Sequence, residues 1–142
     1  MKKLLICLCL MIGLVGCSKS ETVTVCSISS TGLVMENTIV AQSDKIVKQT
    51  LVNQIDFEMA AMTKEQVEEL VQVYVSLYNI EGVEYSYEIE GSILTETIVI
   101  DYSKASLEDL QRVELIQNID DVEYISLEKT IDSLESTGFI CK

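Results

Sequence analysis

The sequence predicts an α+β domain, an antiparallel sheet of about five to six strands with two to three helices packed on one face. Three observations lead there. Thr22 to Ser29 (TVTVCSIS) and Val83 to Glu90 (VEYSYEIE) alternate with period two, as half-buried strands do. Val67, Leu70, Val71, Tyr74, Val75 and Tyr78 recur at helical spacing, with glutamates on the opposite side. The turn signals Ser30-Thr31-Gly32, Ser43-Asp44 and Gly91-Ser92 join neighbouring strands by hairpins.

The chain opens with a sorting signal ahead of this domain. Lys2 and Lys3 precede an apolar run from Leu4 to Leu14, broken only by Gly13. That run is too short to cross about 30 Å of hydrocarbon, which takes roughly 20 residues. It fits the core of a secretory signal. Leu14-Val15-Gly16-Cys17 then has the layout of a bacterial lipobox. The chemistry would place diacylglycerol on the Cys17 sulfur and cleave between Gly16 and Cys17. Two or more acyl chains, palmitate among the usual ones, anchor durably, where one alone binds marginally. The alternative is an ordinary signal peptide with an incidental cysteine. Residues 1–16 are read as signal peptide, 17–21 as lipidated tether and 22–142 as one domain. The location expected is the cell membrane, lipid-anchored on its extracytoplasmic face.

Charge limits the partners. The 142-residue chain carries −13, and losing Lys2 and Lys3 with the signal takes the mature form to −15. Such a surface is repelled by nucleic acid and by anionic headgroups. Membrane contact is therefore expected through the lipid at Cys17. Of the five cysteines, Cys7 and Cys9 leave with the signal and Cys17 takes lipid. Cys26 and Cys141 remain, an even pair in an exported protein, and are expected to bond. The alternative is two free thiols. Two thiols without any histidine are too few ligands for structural zinc, so no metal or cofactor is expected.

Within the domain, strands are expected over Thr22–Ser29, Val34–Gln42 and Lys45–Phe57. The third puts Val47, Leu51, Ile55 and Phe57 on one face and Lys48, Thr50 and Gln54 on the other. A helix follows over Thr63–Ile80, with Thr63 as N-cap, Gln66 completing a capping box and Gly82 ending it. Val83–Glu90 and Ile93–Tyr102 form the hairpin. Counting from its turn pairs Ile89 with Leu94, Tyr85 with Ile98 and Val83 with Ile100, so one face is apolar in both strands. Ser106 caps a second helix, Leu107–Gln117, with Leu107, Leu110 and Val113 inward. Asp120-Asp121 makes a turn, and Val122–Ile125 a brief strand. Ser126 caps a third helix ending near Ser136, with Ile131 and Leu134 inward and Gly138 stopping it. Phe139-Ile140-Cys141 gives a short last strand, which a Cys26 bridge would set near the first.

Three segments carry a family likeness: Gly82-Val83-Glu84-Tyr85-Ser86-Tyr87, Ile100-Asp101-Tyr102-Ser103-Lys104 and Ser136-Thr137-Gly138-Phe139. With the lipobox and the order of elements, the chain from Thr22 to Lys142 resembles the YehR-like family of small bacterial lipoproteins. The resemblance implies an α+β domain on a lipid anchor. The family's function is unknown, so it implies no catalytic residue.

Candidate chemistry is sparse. Without histidine, every triad or dyad that uses imidazole is excluded. Ser126-Leu127-Glu128-Lys129 fits S-x-x-K, yet the S-D-N and K-T-G elements are missing and Ile131 follows Lys129-Thr130. Helix capping explains Ser126 better. With 23 acids some carboxylate pair suits glycoside hydrolysis at almost any separation, and no tryptophan offers a sugar platform. Asp120, Asp121 and Glu123 lack EF-hand spacing and read as a solvated turn. Glu65, Glu68 and Glu69 read as a wet helix face. Tyr74, Tyr78, Tyr85 and Tyr87 fall on inward faces, where core packing is expected, and they line any groove between helix and sheet. The reading is a lipid-anchored, non-catalytic module that binds a protein or another envelope component. The alternative is a lipoprotein binding a small molecule or divalent cation, and a cell-wall hydrolase is the third.

The anchor is tested by Cys17→Ala. The variant is expected to leave the membrane fraction and appear in the soluble or secreted fraction; an unchanged fractionation would refute the lipobox.

Overall fold

The structure, a computed structural model, describes residues 20–117 and 122–142. Cys17 with its lipobox and the Asp120-Asp121 turn lie outside the described residues. The alternating, β-branched segments pair with their chain neighbours. β1 (Glu21–Ser30), β2 (Leu33–Gln42) and β3 (Lys45–Asp56) form a meander, and β4 (Val83–Glu90) and β5 (Ile93–Asp101) form a hairpin. With β6 (Ile140–Cys141), the strands make a six-stranded antiparallel sheet of order β4-β5-β3-β2-β1-β6. Among the described residues the helices are α1 (Lys64–Leu77), α2 (Leu107–Arg112) and α3 (Leu127–Ser136).

One sheet face carries the core. Tyr85, Ile98, Leu51, Asn37, Cys26 and Cys141 stand in register across the six strands and so share a face. On that face α1 brings Val67 and Val71 to Phe57 and Leu94. α2 brings Leu110 to Ile98 and Ile100. Ile131 and Leu134 of α3 reach Cys26, Ile39 and Ile46. The other face stays open, and Val23 on it is 59% exposed.

The third strand departs from simple alternation. Val40 pairs with Lys48 but Ala41 pairs with Ile46, leaving Val47 as the extra residue of a β-bulge. The bulge turns Ile46 into the core at 1% exposure, while Val47, expected beside Leu51, is only partly buried.

Helix starts follow the sequence, and helix ends do not. The capping box at Thr63 is formed in both directions. α1 then stops at Leu77 and not at Ile80, with Tyr78 as its cap residue. Tyr78 and Ile80 leave the helix to pack on Ile98 and Ile100. Val75 points outward, because it sits eight residues past Val67, roughly 80° round the helix. Gly82 caps nothing. At φ +78° it lies so close to the loop after β5 that a Cβ would stand 2.4 Å from the Ala105 nitrogen.

α2 ends at Arg112, short of Gln117. Glu114 at φ 61° takes the left-handed position usually given to glycine. Its N–H donates to the Gln111 carbonyl at 3.0 Å, and the Leu115 N–H donates to the Leu110 carbonyl at 2.9 Å, a Schellman motif. Leu115 thereby folds back onto the Leu110 cluster. Gly138, at φ +98°, closes α3 the same way, with the Phe139 N–H donating to the Leu134 carbonyl at 3.1 Å.

Val122–Ile125 forms no strand. Its link to the sheet is the Ile125 carbonyl, which accepts the Ile46 N–H at 3.0 Å beside a single Lys45–Ser126 bridge. Asp44, in the β2–β3 turn, reaches across to cap α3 alongside Ser126. The Asp44 carbonyl accepts the Leu127 N–H at 2.7 Å, and its carboxylate accepts the Glu128 N–H at 2.9 Å. That amide bond and the Ser126 hydroxyl hold the Asp44 carboxyl below its usual range.

Cys26 and Cys141 are bonded, as the cysteine count leads one to expect, at a Cα separation of 4.0 Å. Reciprocal backbone bonds between Val25 and Lys142, 3.0 and 2.9 Å, flank the bridge. The bond spans 115 residues. Closing a loop of that length is worth roughly 4–5 kcal/mol in the chain-entropy model. The double variant Cys26→Ala/Cys141→Ala is expected to lose about 2–5 kcal/mol in urea unfolding; an unchanged midpoint would show that the bridge does not constrain the unfolded chain.

Candidate functional site

The four tyrosines singled out in the sequence come together where α1 crosses β4. Tyr74 and Tyr78 lie one helical turn apart and stack, with ring centroids 5.6 Å apart and planes 7° apart. Tyr85 stands against both, at 6.2 Å and 63° from Tyr74 and at 5.5 Å and 56° from Tyr78. Tyr87, two residues along the same strand face, lies 6.2 Å from Tyr85. These separations suit mutual edge and offset packing.

The sequence leads one to expect these rings in the core, but the cluster sits at its margin: Tyr78 and Tyr85 pack against the Ile98 cluster and stay only partly buried. None of the four rings is fully buried, and Tyr87 is 38% exposed. The reason is position. β4 is an edge strand of the sheet, and α1 buries its deepest residues, Val67 and Val71, further along. The last turn of α1 therefore overhangs the sheet margin with its tyrosines. Beside them is an open depression of about 460 Å³ lined by Val75, Ser76, Tyr78, Asn79, Val83 and Tyr85.

Polar groups fix the rings. The Tyr85 hydroxyl donates to Glu96 Oε1 at 2.6 Å. Gln72 Nε2 donates to the Tyr87 hydroxyl at 3.0 Å. Glu96 is only 7% exposed although it is a carboxylate on the covered face. Burial first, then the hydrogen bond to Glu96, pushes the Tyr85 hydroxyl far above the usual range for tyrosine. Burial also raises Tyr78, with smaller contributions from Tyr74, Glu96 and Glu114. Glu96, Gln72 and Glu114 carry no motif that marks them in the sequence as partners of the tyrosines. For Glu96 a signal was there: counting from Gly91-Ser92 sets it opposite Tyr87, on the apolar face.

The remaining sequence candidates are scattered. Ser126 caps α3 by accepting the Lys129 N–H at 3.2 Å, which occupies the S-x-x-K serine structurally. Among the described residues no group of three or more His, Cys, Asp or Glu side chains is set to hold a metal ion. No helix among them is long and apolar enough to cross a membrane.

A one-sided six-stranded sheet, three helices among the described residues and a clasp between first and last strands define a small α+β domain. Residues 21–140 match DUF1307, described as a protein of unknown function, and the chain belongs to that family. An uncharacterized lipoprotein of Listeria innocua is 33% identical over 129 residues, covering 89% of this chain and 84% of its own. One from Listeria monocytogenes is 28% identical over the same shares. The NMR structure of the E. coli YehR protein superposes with a TM-score of 0.72, covering 87% of this chain and 92% of that one at 24% identity. A Streptococcus pneumoniae protein solved by NMR gives 0.55 at 12% identity, over 100% of this chain and 97% of its own. At these identities the two solved structures speak for the fold alone.

Raised tyrosine pKa values have a definite sign. Tyr78, Tyr85 and Tyr102 all ionise above the free value of about 10 in the folded state, Tyr102 because it is buried. Their contribution to stability is complete below about pH 10 and is lost as pH rises beyond it. Phenolate absorbance at about pH 10.5 is expected to be smaller in the folded protein than in urea, with Tyr85→Phe narrowing the gap. Superimposable folded and unfolded titrations would contradict the site geometry.

Proposed function

We propose that this protein is a non-catalytic binding module, held on the outer face of the membrane through lipid on Cys17, and that its contact surface is the tyrosine face. The observation that carries the reading is four tyrosine rings gathered at one sheet margin and left partly exposed. Aromatic residues on a surface give large, rigid contact area at low entropic cost, which is why they concentrate at contact sites. The named lipoprotein relatives support the anchor. The short segment between Cys17 and β1, Ser18 to Ser20, would reach only about 10 Å and keep the domain near the bilayer. The absence of histidine from the whole chain supports a binding role over imidazole-based catalysis.

A photo-crosslinking residue placed at Tyr87, and at Val23 on the open sheet face as control, tests the surface in intact cells. Adducts are expected from position 87 and not from position 23. Adducts from position 23 alone would move the contact surface to the open face and defeat the proposal.

A further inference from the structure

We propose that the tyrosine face binds an organic ammonium group, as carried by a small quaternary amine or by a lysine side chain; this rests on the reading of that face as the contact surface. Aromatic faces attract cations through the ring quadrupole, within about 6 Å of the centroid. Here two rings are parallel, Tyr74 and Tyr78, and a third, Tyr85, meets them at 56–63°. The rings pack on one another, and the depression beside them is lined by both Tyr78 and Tyr85, so a compact cation lodged there meets more than one ring. The depression is lined by no lysine or arginine.

Charge points the same way. Glu96 is buried under Tyr85, and no ion pair among the described residues includes it. Glu114 also takes part in none of these pairs, is exposed, and contributes to the potential at Tyr78. Glu114 further occupies a φ of 61°, where glycine would be free of strain. The next residue, Leu115, packs on the same Ile98 cluster as Tyr78 and Tyr85, which sets Glu114 on the side of the sheet that carries the tyrosines. Carboxylates in and beside the cluster attract a cation and repel an anion.

The test titrates the folded protein with choline, with its uncharged isostere 3,3-dimethylbutan-1-ol, and with an N-acetyl-lysine amide, following tyrosine ring resonances. Saturable shifts of Tyr78 and Tyr85 are expected with a cation, and binding of the isostere about tenfold weaker or more. Choline binding ahead of the lysine amide assigns a small quaternary amine as the source; the reverse order assigns a lysine side chain. Glu114→Gly is expected to weaken cation binding by about threefold to tenfold while leaving Tm equal or higher, because it relieves the backbone. Equal affinity for choline and the isostere would overturn the ammonium assignment while leaving the tyrosine face as a contact surface. No saturable shift with either cation would also overturn it, and crosslinking from position 87 would then judge the contact-surface reading separately. Unchanged binding in Glu114→Gly would remove Glu114 from the site.

Discussion

The fold depends on one asymmetry: a six-stranded sheet that covers one face and leaves the other in water. Every core residue contributed by the strands, from Cys26 and Ile39 to Ile98 and Ile100, points to the covered side. A shift of one residue in any strand would exchange that set for its Thr, Glu and Lys neighbours. Register is therefore under strong selection by burial alone. Among the described residues the β-bulge at Val47 is the single place where parity changes within a strand, and it brings Ile46 under α3. Without it the row beneath that helix would begin with Lys45 or Val47 and lose a side chain that is almost fully buried.

Long-range closures hold this half-covered sheet together. β6 has two residues and pairs with a ten-residue strand, so its backbone bonds alone would hold it weakly. The Cys26–Cys141 bond makes that pairing permanent and ties α3 to the sheet through Gly138 and Phe139. Asp44 serves α3 from the other end, since its carbonyl and carboxylate take two amides of the first turn. The helix is thus fixed at both termini by residues far away in sequence. That explains how it sits stably with no fully buried side chain of its own.

These closures also mark what was legible in the sequence. The β4–β5 register could be counted, because Gly91-Ser92 fixes the turn and the alternation fixes the face. Helix starts could be read because Thr63, Ser106 and Ser126 act on amides three residues away. Helix ends could not, since they answer to tertiary packing. α1 ends where Tyr78 is drawn to the Ile98 cluster, and α2 ends on a glutamate in a glycine conformation. The tyrosine site was half legible. Spacing put the four rings on faces that could meet, but the inward face of an edge strand near a helix end is a margin, not an interior. The order of strands in the sheet reveals that β4 is an edge.

Polar residues on the covered face complete the physical picture. Asn37 is 4% exposed and Glu96 7% exposed, and they lie among the apolar rows beside Gln49 and Asn53. Gln49 Oε1 takes the Tyr102 hydroxyl at 2.7 Å, and Glu96 takes that of Tyr85. The Oδ1 atoms of Asn37 and Asn53 are buried and accept no hydrogen bond from the described residues. An unmet buried acceptor costs about 1–3 kcal/mol. Apolar residues at these positions would merge the three hydrophobic clusters into one. The chain instead keeps a polar band between them, and its outermost member, Glu96, ends beneath the tyrosines. Stability alone favours filling that band with valine or isoleucine. At Glu96 the carboxylate instead orients Tyr85 through a 2.6 Å hydrogen bond, and under the proposed binding role it serves the surface above it.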